Sequence, residues 1–195
     1  MAAPRWRRYG GGGQNQAALG QIGVPIQNGS WTRYKLQRSI FSIGEDFWIE
    51  DDRGESVFKV DGKALSLRET FLLEDQSGNE LLSVETKLIA LQPTMKITRQ
   101  SQLYATVTKA LLTLLHQHYT IQVEGGPAYE AQGDITNHEY GVRINDVPVA
   151  QISRQWFSLR DSYGIAVAPD VDHALMLAAA VCIDEISERE RDSHH

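Results

Sequence analysis

The 195-residue chain is 42% hydrophobic and 23% charged, the proportions of an ordinary globular protein with one sizeable core. Its single cysteine, Cys182, excludes an intrachain disulfide framework. The net charge of −6 is unevenly spread: residues 1–44 hold Arg5, Arg7, Arg8, Arg33, Lys35 and Arg38 with no acid, while the other 151, with 13 basic and 25 acidic side chains, carry −12. A basic leading segment on an acidic body points to an anionic partner for that segment, or to its lying on its own domain.

Residues 1–30 run through Trp6-Arg-Arg-Tyr9, four glycines and a Gln/Gly/Ala stretch to Asn28-Gly29-Ser30. Such composition buries too little surface to offset chain entropy, so a flexible basic tail is expected here. No apolar core follows the arginines as it would in a secretory signal, and a cytoplasmic location is expected. The glycosylation acceptor Asn28-Gly-Ser30 then carries no weight.

From Trp31 a hairpin pattern begins. Asp46–Glu50 alternates, Asp51-Asp-Arg-Gly54 turns and Glu55–Val60 alternates again. The unit recurs as Thr70–Glu74, Asp75–Asn79 and Glu80–Val84, then as Tyr140–Ile144, Asn145-Asp146 and Val147–Ile152. Gly, Asn and Asp supply the turn conformations that tight hairpins need. Further strands are predicted at Arg33–Ser39, Met95–Arg99, Leu103–Lys109, Tyr119–Glu124, Ala128–Gln132, Trp156–Arg160 and Tyr163–Val167. About a dozen strands in an open sheet would expose edges, whereas closure into a barrel removes them.

The chain ends differently. Ala174–Ile183 is apolar on every face, the mark of a buried helix rather than a surface one. Ten apolar residues are too few for the ~20 of a membrane span. Pro169 closes the last strand, Asp170 is the expected N-cap with Asp172 in the first turn, and Arg189 and Arg191 suit the C-terminal end of the helix dipole. Cys182 reads as a small core hydrophobe. The expected architecture is a mainly β domain over 31–190: a closed antiparallel barrel of about twelve strands around a core helix at about 170–188.

These features resemble the LURP-one-related family, which has the tubby C-terminal-like fold and is similar to phospholipid scramblases. The residues carrying the resemblance are Leu65-Ser-Leu67, Phe71–Leu82 and above all the block Asp161–Asp184, with its strand, Pro169, paired acids, apolar helix and closing Asp. It covers roughly 31–188. The resemblance implies the barrel fold, and divides on function: tubby-type domains bind phosphoinositides through basic residues on the barrel side, whereas scramblases are associated with calcium and membranes. Fold alone does not deliver a function. On the scramblase calcium pattern Asp161, Asp170 and Asp172 match, but Leu159 stands where an acid leads. Three carboxylates fall short of the six to eight oxygens calcium takes, so capping and turn formation is the reading preferred.

Other constellations read blandly. His116 and His118 share a strand face at a spacing zinc can use, with Asp134 and His138 as remote fellow ligands, but no Cys or third His lies at the usual ligand spacing, and half-exposed strand residues are the reading preferred. The terminal His194-His195 is set aside as native or added. No nucleophile elbow, phosphate loop or zinc-protease helix occurs, so no metal, cofactor or catalytic residue is expected. The candidate lipid-binding residues are Arg5, Trp6, Arg7 and Arg8 in the tail, where arginines interleave with aromatics, and Lys87, Lys96 and Arg99 in the strands where tubby-like domains place cations. The expected function is a non-catalytic binding or scaffold domain, associating with anionic membrane lipid or another protein, neither transmembrane nor nucleic-acid binding. The alternatives are a scramblase-like membrane lipid protein and an enzyme with an unrecognised site. Oligomeric state is not legible.

Overall fold

Alternating apolar and polar residues place one face of each strand inward, and the segments so patterned form β1 (Thr32–Gln37), β2 (Phe47–Asp51), β3 (Ser56–Asp61), β4 (Thr70–Asp75), β5 (Glu80–Thr86), β6 (Thr94–Arg99), β7 (Gln102–Lys109), β8 (Gln117–Val123), β9 (Ala128–Asp134), β10 (Glu139–Ile144), β11 (Val147–Ser153) and β12 (Ser162–Val167). A helix, α1 (His173–Ser193), follows. This architecture comes from a computed structural model that describes residues 31–37, 47–61, 70–86, 91–111, 117–134, 139–153 and 162–193. The predicted strand at Trp156–Arg160 and the expected tail at 1–30 lie outside them.

Each strand pairs antiparallel with its neighbour in sequence, and β1 pairs with β12 from Thr32↔Val167 to Gln37↔Ser162, closing the barrel. Eight strands make a barrel that side chains alone can fill; twelve leave a central space for a helix about 10 Å across. Leu175–Ile183 occupy that space, each no more than 1% exposed. Around them stand inward-facing residues from every quarter of the wall, among them Leu36, Ile49, Leu73, Leu82, Ile97, Val107, Ile121, Val142 and Ile165.

The connectivity makes the two ends unlike. At one end lie the tight turns of β2–β3, β4–β5, β6–β7, β8–β9 and β10–β11, together with the start of β1 and the N-terminus of α1. Two of these turns use the same device: Asp51 Oδ1 accepts from the Arg53 and Glu55 N–H groups, and Asp75 Oδ1 from those of Ser77 and Asn79, each at 2.8–2.9 Å. Gly54 and Gly78 supply the positive φ, so Asp51 and Asp75 act as turn formers, as the sequence suggests. The opposite end takes the longer connections and the C-terminal turns of α1.

One detail of the helix departs from expectation. Asp170 is not the N-cap. Residues 168–171 form a turn, with Val171 N–H donating to the Ala168 carbonyl at 3.4 Å, so the helix begins two residues later. Asp172 caps it, its Oδ1 accepting from Leu175 N–H at 3.0 Å. Asp170 is left exposed in the turn.

Candidate functional site

At the mouth where α1 enters, Asp172 gathers three donors. Besides capping the helix it accepts from Arg99 Nη2 at 2.6 Å and from the Tyr104 hydroxyl at 2.9 Å, and the Arg99 guanidinium lies 3.9 Å above the Tyr104 ring centroid. Burial works to raise the Asp172 pKa, but the Arg99, Leu175 and Tyr104 hydrogen bonds outweigh it and hold the carboxyl below its ordinary value. Next to it His173 is held at both ring nitrogens: Nε2 donates to the Ala168 carbonyl at 3.2 Å, so Nδ1 accepts from the Tyr34 hydroxyl at 2.6 Å. Burial, then the charges of Asp51 and Asp52, push the Tyr34 phenol up to about 12. Every polar group named here is engaged, so the cluster fastens the helix to the wall and offers no free acid or base.

The other end is fastened in the same way. Gln117, Tyr119 and Tyr140 point inward from β8 and β10. Tyr140 donates to Gln117 Oε1 at 2.6 Å, Tyr119 meets Ser187 Oγ at 2.7 Å, and Ser187 donates back to the Ile183 carbonyl at 2.8 Å. Gly133 makes this arrangement fit, because a Cβ there would overlap the Tyr140 ring and the Glu139 carbonyl. Lys109, inward-facing after Ala105 and Val107 and only 7% exposed, pairs with Glu190 of the helix. Beside this pair a half-open cleft of about 160 Å³ is lined by Thr86, Pro93, Thr94, Met95, Ile186, Arg189 and Glu190. The alternation of β7 could have marked Lys109 as an inward cation; the tyrosine network left no linear trace.

On the outer wall basic residues face acids in register. Lys35 lies opposite Glu50, Lys59 opposite Glu74, Lys96 opposite Glu85 and Arg143 opposite Glu130. Of the residues singled out for lipid binding, Lys96 therefore faces outward beside a glutamate, and Arg99 reaches over the helix mouth to Asp172. The structure does not bring these two into one cluster. Arg5, Trp6, Arg7, Arg8 and Lys87 lie outside the described residues, as do Asp161, His116 and His138. His118 pairs with Gln132 on the outer face. Among the described residues no group of three His, Cys, Asp or Glu side chains is placed to hold a metal ion, and no described helix is long and apolar enough to cross a membrane.

A closed twelve-stranded antiparallel barrel threaded by a C-terminal helix defines the structural class. The sequence profile of the LURP-one-related family matches residues 32–184, and the chain belongs to that family. Among solved structures it is similar in fold to an Arabidopsis thaliana protein determined by X-ray crystallography, with a TM-score of 0.57 and 20% identity over 80% of this chain and 90% of that one. No curated protein matches.

Proposed function

We propose that this LURP-one-related chain is a non-catalytic binding domain whose barrel is a rigid support and whose basic, aromatic N-terminal segment engages anionic lipid at a membrane surface. The observation that carries this reading is the pairing of most cations among the barrel's described residues. Wall lysines face glutamates in register, and Arg99, Lys109 and Arg189 each bind a carboxylate. Recognition of an anionic headgroup needs cations that are not already neutralised. Arg5, Arg7 and Arg8 have no acid within the first 44 residues, and Trp6 and Tyr9 suit the interfacial layer. Lys87, Lys96 and Arg99 would add to the contact only secondarily.

The filled interior supports the non-catalytic part. Catalytic sites in such folds need a concave, polar cavity with perturbed titratable groups, whereas the described core is occupied by α1, and Gln117, Tyr119, Asp172 and Ser187 hold that helix to the wall.

The test is co-sedimentation with vesicles of phosphatidylcholine alone and of phosphatidylcholine with phosphatidylserine, over a range of salt. Binding confined to the anionic vesicles, weakened by salt and abolished in an Arg5→Glu/Arg7→Glu/Arg8→Glu variant supports the reading. Binding unchanged in that variant refutes the assignment to the segment.

A further inference from the structure

The outer wall of the barrel turns Glu130 and Gln132 on β9 and Arg33 on β1 to solvent. Over β10, β11 and β12, between them, it does not. Gln151 pairs across the ladder with Gly141 and Ala166, and Ala166 with Arg33. These positions form one outward row beside the inward row of Tyr140, Ile152 and Ile165. Yet Gln151 and Ala166 have no exposure, nor has Ser153 in the next outward row, where it pairs with Gly164. Glycine and alanine are too small to bury a glutamine that lies between them. Among the described residues, moreover, neither Gln151 Nε2 nor Oε1 has a hydrogen-bond partner, and a buried amide left unpaired is costly. A shallow groove floored by Gly141, Gly164 and Ala166, with an amide waiting at its centre, is a seat for extended backbone.

The segment that leads into β1 suits that seat. Residues 10–30 carry no charged side chain, and within them Ile22, Val24 and Ile26 alternate with Gly23 and Pro25. Such spacing puts three apolar side chains on one side of an extended stretch, and Pro25 biases Val24 to that conformation. Asn28-Gly29 follows, a reverse-turn dipeptide, just before β1. Since β1 is already paired on both sides, with β12 and β2, chain returning from the turn must lie over the wall instead of joining it. On the β2 side the outward Trp48 is 43% exposed, so the covered face is the one on the β12 side. Residues 154–161, which join β11 to β12, carry Arg154, Arg160 and Asp161; they suit the Glu139 rim better than the neutral row of Gly141, Gln151 and Ala166.

We propose that residues 21–27 fold back from the Asn28-Gly29 turn and lie extended across the outer face of β12 and β11. Ile22, Val24 and Ile26 rest on the floor of Gly141, Gly164 and Ala166, and the backbone between them pairs with the Gln151 amide. This seat stands independently of the lipid reading. Where that reading holds, it sets the face of the barrel from which Arg5, Arg7 and Arg8 emerge.

Two measurements on the full chain test this. In hydrogen exchange of the unaltered protein, the amides of residues 21–27 should exchange about tenfold or more slower than those of residues 10–19. In thiol labelling, Ala166→Cys should react with a maleimide about a hundredfold slower than Arg33→Cys in the same row. Cys182 is fully buried, and burial raises its thiol pKa further, so it stays silent in both. Adding Ile22→Asp/Val24→Asp/Ile26→Asp should bring Ala166→Cys to within about tenfold of Arg33→Cys, with the far-ultraviolet circular dichroism of the barrel retained.

Exchange at residues 21–27 as fast as at 10–19 overturns the proposal. So does an Ala166→Cys that stays protected in the triple variant, which assigns the cover to residues 154–161. An Ala166→Cys that labels freely without the triple change means an open face, and overturns it too. Protection of residues 21–27 that grows with protein concentration assigns the seat to the segment of a second copy and overturns the intramolecular one. Neither experiment contains lipid, so failure of the seat and failure of the lipid reading are separate results.

Discussion

Replacing Asp172 by alanine removes three interactions whose sizes can be estimated separately. Loss of the N-cap to Leu175 costs about 1 kcal/mol. The ion pair with Arg99 joins side chains 40% and 29% exposed, so solvent screening limits it to about 0.5 kcal/mol. The Tyr104 hydroxyl, half-buried, loses its acceptor at about 1 kcal/mol. Together Asp172→Ala should destabilise by about 2–3 kcal/mol, a fall in Tm of roughly 4–12 °C for a domain of this size. Asp172→Asn keeps a good cap and an acceptor oxygen and should lose under about 1 kcal/mol. Asp170→Ala, at an exposed turn position, should stay within about 0.5 kcal/mol of the parent. Urea unfolding followed by tryptophan fluorescence measures all three. The folded-state pKa of Asp172 is depressed, so the stability its charge contributes is present above the ordinary value of about 3.9 and is lost as pH falls through the lower folded value. The gap between the parent and Asp172→Asn should accordingly close on acidification below about pH 4. Equal losses for Asp170→Ala and Asp172→Ala, or for Asn and Ala at 172, would refute the assignment of the cap and its ion pair.

Other consequences follow from the packing. Gly133→Ala forces a methyl into the Tyr140 ring and the Glu139 carbonyl and should cost about 1–3 kcal/mol by denaturant unfolding; an unchanged midpoint would contradict the close approach. The Tyr34 phenol, pushed up to about 12 in the folded chain, contributes stability that is full below pH ~10 and disappears between about 10 and 12, worth about 2–3 kcal/mol. Tyr34→Phe should flatten that part of an alkaline stability profile, and a profile identical to the parent's would count against the buried phenol. Leu177→Asp puts an unpaired charge at a position with no exposure and should abolish folding as seen by far-ultraviolet circular dichroism; a native spectrum and melt would mean α1 is not the core.

Much of this fold was legible because its rules are local. Alternation marks inward and outward residues strand by strand, Asp51…Gly54 and Asp75…Gly78 carry their turn chemistry in the sequence, and the unbroken apolar run Ala174–Ile183 admits only a buried helix. The β6–β7 turn shows where locality fails. Gln100 and Ser101 both adopt positive φ, at 51° and 62°, although neither residue type announces it; the ladder on either side imposes the turn. The helix start was misplaced by two residues because Asp170 and Asp172 are equally good caps in isolation, and only Arg99 and Tyr104, arriving from β6 and β7, select the second. Tyr34 and His173, 139 residues apart, meet because the barrel closes, which no window of sequence reveals. The glutamates opposite Lys59 and Lys96 likewise become visible only with the register, and they shift the lipid reading from the wall to the N-terminal segment.

The central claim is that the N-terminal segment, and not the barrel wall, provides the electrostatic grip on lipid. Flotation of the full chain and of a chain beginning at Trp31, with vesicles of neutral, phosphatidylserine and phosphoinositide composition, tests it most directly. The full chain should float with anionic vesicles, and the shortened chain, though folded by circular dichroism, should lose most of that binding. Phosphoinositide-selective binding retained by the shortened chain would contradict the claim and place the site on the barrel, and failure of the full chain to float with any vesicle would remove lipid from the account.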